Sequence, residues 1–153
     1  MKKIKIRTDE AMVLYNILNN SRYGKLDDAD KVKVWKITRS LKPVAKQFDE
    51  DSKDAAEKFK PSDYENFTDD LQKYVEYQQR KGVGCQMTLE EYQAFTPIYK
   101  NYQDQMNKAL KEFSEKEVEI EFDTITEDAF TKFMNSNEWN FAQAVEVGEK
   151  IVG

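Results

Sequence analysis

Two short segments of the chain alternate strictly between charged and apolar residues, and the charges of the two segments are opposite. Residues 3–7 read Lys-Ile-Lys-Ile-Arg, whereas residues 117–123 read Glu-Val-Glu-Ile-Glu-Phe-Asp. A period of two places the apolar residues of a strand on one face and the charged residues on the other. We therefore predict that the segments pair as two strands with bases opposite acids, closing the intervening chain into one domain.

Between the two strands, apolar residues recur every three or four positions, which predicts helices. Thr8-Asp9-Glu10 predicts an N-cap and early acids for a first helix that ends near residue 20. A long helix is predicted from Asp27 or Asp28 to about Phe59. Pro43 lies within it, so either this helix kinks at Pro43 or two helices meet there.

Two further helices are predicted before the acidic strand and two short ones after it. The third helix starts at Ser62 or Asp63 and stops near residue 81, where a glycine-containing loop follows. Thr88 and Glu91 form a capping box at the start of the fourth helix, which continues to about residue 114. Thr124 or Thr126 begins the fifth helix, and Trp139, Ala142, Val145 and Ile151 mark a last one.

This order of elements predicts a mainly α fold of the α+β type. Helices of about 30 residues extend about 45 Å, which exceeds the diameter of a small globular domain. We therefore expect a single domain, residues 1–153, built as an elongated helical hairpin or bundle on a small base. The base comprises residues 1–26 and 115–153, with the two-stranded β-sheet and the short C-terminal helices, and the helical arm comprises residues 27–114.

The composition excludes several classes of chemistry. The chain of 153 residues has no histidine, so neither a Ser-His-Asp nor a Cys-His nucleophilic arrangement can form. Its single cysteine, Cys85, can make neither an internal disulfide nor a zinc-binding thiolate cluster. Acidic groups at residues 27–30 and 49–51 are explained by helix capping and solvation. The sequence therefore predicts no catalytic residues, no metal site and no cofactor.

The charge distribution leaves one candidate binding patch. A formal net charge of −5 makes nucleic acid a poor expected partner, and no apolar run is long enough to predict a membrane partner. Lys36, Arg39, Lys42 and Lys46 nevertheless fall on about one face of the long helix. They form either a solvated face, balanced by the acids at residues 49–51, or a site for an anion or a partner.

Two aromatic residues add candidate partner contacts. Most tyrosines and phenylalanines of the third and fourth helices occupy positions that pack the helices together. Tyr77 lies off that seam, and an amphipathic tyrosine there is suited to a protein interface. Trp139 either locks the last helix onto the base or anchors another subunit.

Four segments together resemble a group of short helical proteins encoded by tailed bacteriophages and prophages. They are Ile4-Lys5-Ile6 to Leu18, Val34-Trp35-Lys36-Ile37 to Leu41-Lys42-Pro43-Val44, Glu117-Val118-Glu119-Ile120-Glu121-Phe122, and Ser136-Asn137-Glu138-Trp139-Asn140. The resemblance implies a phage protein of the virion or morphogenesis class, at the head-to-tail junction or in the tail, that acts through contacts alone.

Two functions from different classes follow as expectations. The first is a non-enzymatic structural or assembly component that oligomerises or docks onto other phage structural proteins. The second is an intracellular phage-encoded inhibitor or adaptor that binds a host protein or a small anionic ligand. The expected location is the virion or the host cytoplasm, and an enzyme comes third because no motif places a pair of reacting groups.

Overall fold

The computed structural model describes residues 1–61 and 66–153, which form two strands and six helices. In chain order these are β1 (Lys2–Arg7), α1 (Thr8–Asn19), α2 (Asp28–Phe59), α3 (Phe67–Arg80), α4 (Leu89–Glu115), β2 (Glu117–Phe122), α5 (Glu127–Asn135) and α6 (Phe141–Ile151). This confirms the mainly α class with a two-stranded sheet and short C-terminal helices. The predicted start of the third helix, at Ser62 or Asp63, lies outside the described residues.

The antiparallel pairing of β1 with β2 confirms the prediction made from their alternation. Lys5 lies opposite Glu119, and on the same face Lys3 lies opposite Glu121 and Arg7 opposite Glu117. Ile6 and Ile120 of the other face are buried in the core. Opposite charges that face each other across a ladder typically contribute about 0.2–1 kcal/mol per pair, and a shift by one residue would turn the charges into the core.

The start of α1 corrects one prediction. Thr8 is not a side-chain N-cap, because the residue in the N-cap position is Arg7 and it makes no capping bond. Thr8 is buried, and both its backbone N–H and its hydroxyl donate to the Lys116 carbonyl, at 2.9 and 2.8 Å. The residue that begins α1 is therefore bonded to the residue that precedes β2, which extends the strand pairing by one step.

The α2 helix is continuous, so the chain neither breaks nor begins a second helix at Pro43. Proline removes one backbone donor from a helix interior, and here the ring lies at an exposed position. On the opposite side of the helix Val34, Ile37 and Leu41 are fully buried. Burial of this side, not helix propensity, stabilises the N-terminal half of α2.

The chain divides into two compact units. The first comprises residues 1–50 and 113–153, and the second comprises residues 51–112. The first unit contains the sheet, α1, α5, α6 and residues 28–50 of α2. Its core consists of Ile6, Ala11, Leu14, Leu18, Leu26, Val34, Ile37, Leu41, Ile120, Phe122, Ile125, Ala129, Phe133, Val147 and Ile151.

The two C-terminal helices have explicit start signals. Thr126, one of the two predicted openings, caps α5 by accepting from the Ala129 N–H at 3.1 Å. Asn140 and Gln143 form a reciprocal capping box at the start of α6, which was not predicted. These caps satisfy backbone donors that a helix otherwise leaves open.

The second unit has its own core, which is mostly aromatic. Phe67, Tyr74, Met87 and Phe95 are buried in it, with other tyrosines packed around them. The predicted capping box at the start of α4 is confirmed, since the Glu91 N–H donates to the Thr88 hydroxyl oxygen at 3.2 Å. Pro97 lies inside α4, in the third turn.

A charge-reversal experiment checks the strand register. Lys5→Glu should lower the free energy of unfolding, because Glu119 then faces a like charge, and adding Glu119→Lys should restore part of it. We expect a coupling of about 0.2–1 kcal/mol in a double-mutant cycle measured by urea unfolding. Pairing Lys5→Glu with Glu138→Lys, an exposed acid outside the sheet, is the control. A coupling as small as that of the control would contradict the opposition of these two residues.

Candidate functional site

One face of α2 is exposed and carries an unusual set of residues. The α2 stripe is defined here as Val32, Trp35, Arg39, Lys42 and Lys46, all of which are exposed. Successive members are three or four residues apart, so they lie in a row on one side of the helix. At 1.5 Å per residue the row is about 21 Å long. It lies entirely within the first unit.

The charge of this part of α2 is entirely positive. Residues 31–48 include six basic residues and no acid, although the whole chain has a net charge of −5. Lys36, next to the stripe, is also exposed. Across residues 1–61 and 66–153, neither Lys36 nor any of the stripe cations forms an ion pair, and the nearest pair joins Lys31 to Asp28 at 3.8 Å. The cations are therefore left to solvent or to a partner.

The apolar end of the stripe is as exposed as its basic end. Val32 is 50% and Trp35 is 54% exposed, values that are high for side chains of their size and apolarity. The guanidinium carbon of Arg39 lies 5.3 Å from the centroid of the Trp35 ring. A cation at that distance is attracted to the face of the ring by about 0.5–1 kcal/mol at an exposed site. The contact holds both side chains along the helix surface.

Trp139, the second candidate anchor, packs inside the first unit. It is half-buried, and its ring meets Phe133 edge-on at 4.8 Å and lies 6.3 Å from Phe130. Phe133 is fully buried. Of the two roles that the sequence left open, this geometry favours locking: the indole attaches the turn before α6 to α5.

Trp139 also borders a cleft of about 550 Å³ between the turn after α1 and the turn after α5. Asn137 joins the two turns across it. The Asn137 carbonyl oxygen accepts from the Arg22 N–H at 2.7 Å, and its amide donates to the carbonyls of Arg22 and Phe133, at 3.0 and 2.9 Å. Another amide at the cleft, that of Gln143, caps α6. These polar groups are used in joining parts of the fold.

Tyr77 lies in the aromatic cluster of the second unit. Its ring stacks on Tyr92 with centroids 4.4 Å apart, and it is half-buried. Gly82, with φ at +82°, sits against this ring, and a Cβ at that position would come within 3.1 Å of it. The close approach and the left-handed backbone both favour glycine there. Tyr77 thus packs within the second unit, whereas the cations of the stripe belong to the first.

Burial raises the pKa of two tyrosines of the second unit. Burial raises the pKa of Tyr74, which is 5% exposed and also accepts a hydrogen bond from the Gln78 amide at 3.2 Å. Burial likewise raises the pKa of Tyr102, with a further rise from the nearby Glu57 charge. Burial disfavours the charged phenolate, so these groups stay neutral to higher pH than an exposed tyrosine.

The described residues contain one free thiol, and they lack a metal-ligand cluster and a membrane-spanning helix. Cys85 is a free, half-buried thiol whose sulfur lies 3.6 Å from the Met87 carbonyl oxygen. In the parts of the chain on either side of residues 62–65, no three acidic or cysteine side chains converge as metal ligands do. None of the helices described there combines the length and apolarity needed to cross a membrane.

The structure brings together four of the six residues predicted to bind a partner. Lys36, Arg39, Lys42 and Lys46 share the exposed side of α2, whereas Tyr77 belongs to α3 and Trp139 to the turn before α6. Trp35 was not among the residues predicted to bind a partner. The sequence feature that could have identified Trp35 is its position, one turn before Arg39 and one residue after the buried Val34. No family model, curated protein or solved structure matches the chain.

Replacing Asn137 tests whether the two turns depend on its amide. Asn137→Ala removes three hydrogen bonds and should lower the free energy of unfolding by about 1–3 kcal/mol. Asn137→Asp keeps the acceptor but points a carboxylate at two carbonyls, so it should cost at least as much at neutral pH. Ser136→Ala, which removes an acceptor for the Lys25 N–H, should cost less. Equal urea-unfolding midpoints for all three variants and the wild type would contradict this assignment.

Alkaline pH should destabilise the protein through its buried tyrosines. Because the folded-state pKa of Tyr74 is raised, its contribution is fully present below about pH 10, the unfolded value, and is lost as pH rises through the folded value. Tyr74→Phe should flatten the fall in stability above pH 10. Gln78→Ala, which keeps the phenol, should leave the fall as steep as in the wild type. Urea unfolding followed by circular dichroism between pH 8 and 11 measures both slopes, and identical slopes would refute the claim.

Proposed function

We propose that this protein is a non-enzymatic structural or assembly component of a tailed-bacteriophage particle and that it acts through protein–protein contacts. The proposed partners are other structural proteins of the particle, at the head-to-tail junction or in the tail, or further copies of the chain. The phage setting rests on the sequence resemblance. The observation that carries the contact role is the exposed α2 stripe.

The composition of the stripe supports binding to a protein. Tryptophan and arginine are the residues most enriched where truncation costs an interface the most binding energy. Trp35 offers a large apolar surface at an exposed position, and Arg39 lies over its ring. Because the opposite side of α2 is buried in the core, the helix that bears the stripe is held rigidly. A preformed surface avoids much of the ordering cost of association.

A second function has its own support in the unpaired cations. Lys36, Arg39, Lys42 and Lys46 form no ion pair with the described residues. Such a row also suits an intracellular inhibitor or adaptor that binds a host protein or a small anionic ligand. The two functions use the same surface and differ in what it binds, a protein of the particle in the first and a host protein or a small anion in the second.

Site-specific photo-crosslinking distinguishes them. A photoreactive phenylalanine, which keeps an aromatic ring at the position, replaces Trp35 in one variant and Val83 in a control, since Val83 is also apolar and is 78% exposed. Both variants are expressed in cells in which the phage or prophage is induced, and particles are purified. We expect crosslinks from position 35, but not from position 83, to particle proteins in fixed stoichiometry.

Each other result points elsewhere. Crosslinks from position 35 to a host protein, with the chain reproducibly missing from purified particles, would replace the structural role by the inhibitor or adaptor. Crosslinks no more frequent at position 35 than at position 83 would contradict a contact role for the α2 stripe.

A further inference from the structure

We infer that the α2 stripe binds a single amphipathic helix of a partner protein, one that is apolar at one end and rich in glutamate or aspartate at the other. This inference rests on the proposed contact function and adds the chemistry of the partner. It follows from the spacing of the stripe, from the change of chemistry along it, and from its unpaired charge.

The spacing fits a helix. The five members of the stripe follow each other at intervals of three, four, three and four residues, the spacing by which one helix packs along another at a small crossing angle. The row is about 21 Å long and one helix face wide. Its area is therefore smaller than that of a standard interface between globular surfaces. A partner helix of about 14 residues covers it from end to end.

The chemistry changes along the stripe. Val32 and Trp35 form an apolar end, and Lys42 and Lys46 form a basic end, with Arg39 between them. A partner with polar groups at the apolar end would bury an apolar side chain against them. A partner without acids at the basic end would leave a cation with no counter-charge. Apolar residues against Trp35 and carboxylates against the lysines satisfy both ends at once.

The stripe of a second copy of the chain is poorly suited to bind the α2 stripe. Two stripes laid in parallel oppose every cation to the same cation. Two stripes laid antiparallel about their midpoint set Arg39 against Arg39 and place Val32 against Lys46. Like charges brought together in this way oppose association, so the stripe does not complement itself.

Nucleic acid is also disfavoured, although a basic row with a tryptophan is a feature of some nucleic-acid sites. Binding to phosphates is driven by a positive field over the surface, and this chain has a net charge of −5. The positive charge is not continued on the sheet of the same unit, where the three acids of β2 lie opposite three bases of β1. A phosphate backbone therefore finds no excess of cations on the sheet.

A designed peptide tests the inference directly. The probe is a fluorescent helix of about 18 residues, long enough to span the stripe, with leucines at the positions facing Val32 and Trp35 and glutamates at those facing the cations. A second peptide replaces the glutamates by glutamine. We expect the glutamate peptide to bind at least about tenfold more tightly by fluorescence anisotropy. The advantage should shrink as salt rises from about 50 to about 500 mM.

Variants locate the binding. The pair Arg39→Glu and Lys42→Glu should weaken binding at least about tenfold, and Trp35→Ala at least about fivefold. The matched control is Lys100→Glu with Lys108→Glu, which makes the same change in charge at exposed positions of α4. It should leave the dissociation constant within about twofold of the wild type. Circular dichroism confirms that each variant is folded.

Several results would overturn the inference. These are equal losses from the stripe and control pairs, no effect of Trp35→Ala, tighter binding of a DNA or RNA oligonucleotide than of the peptide, and self-association abolished by the stripe variants. The crosslinks from position 35 separate this inference from the proposed function. If they reach particle proteins at segments that are neither acidic nor helical, the contact role stands and the acidic helix is wrong.

Discussion

The pairing of β1 with β2 is the constraint on which the first unit depends. It joins segments that are far apart in the chain, since Thr8 and Lys116, the residues at the end of the ladder, are 108 positions apart. Closing so long a loop costs entropy that two short strands cannot offset alone. The ladder is stable because its apolar face covers the same core as α1, α6 and the N-terminal half of α2. The position of the α2 stripe follows from that burial: once Val34, Ile37 and Leu41 face the core, Trp35 and Arg39 must face away.

Much of the fold is predictable because it depends on local patterns. Alternating charge predicted both strands and the pairing of bases with acids, and Thr88 with Glu91 predicted the start of α4. The errors arose where a distant residue decided the outcome. Thr8 has the chemistry of an N-cap, yet its hydroxyl is bonded to the Lys116 carbonyl, and no pattern near Thr8 reveals that partner. The effect of Pro43 was left open for the same reason, because tertiary burial of the opposite side holds α2 continuous across it.

The candidate site was only partly predictable. Helical spacing alone grouped Lys36, Arg39, Lys42 and Lys46, since charge and periodicity are both read directly from the chain. It did not single out Trp35, because tryptophan is a residue type that is highly buried on average, although its position one residue from Val34 places it on another side of the helix. The role of Asn137 also depends on partners in a distant turn, and its two-sided pairing with Arg22 has no counterpart in a local motif.

Pro43 also alters the stripe at the level of the backbone. In a regular helix the carbonyl of residue 39 accepts the N–H of residue 43, but proline has no N–H to donate. The Arg39 carbonyl therefore lacks its usual backbone donor, on the exposed side of α2 and between the aromatic and the basic parts of the stripe. The pyrrolidine ring occupies the place of the missing N–H, which weakens a helix locally and favours a bend. Burial of the opposite side of α2 offsets that loss, so this turn of the stripe is held by side-chain packing and not by a full set of backbone hydrogen bonds.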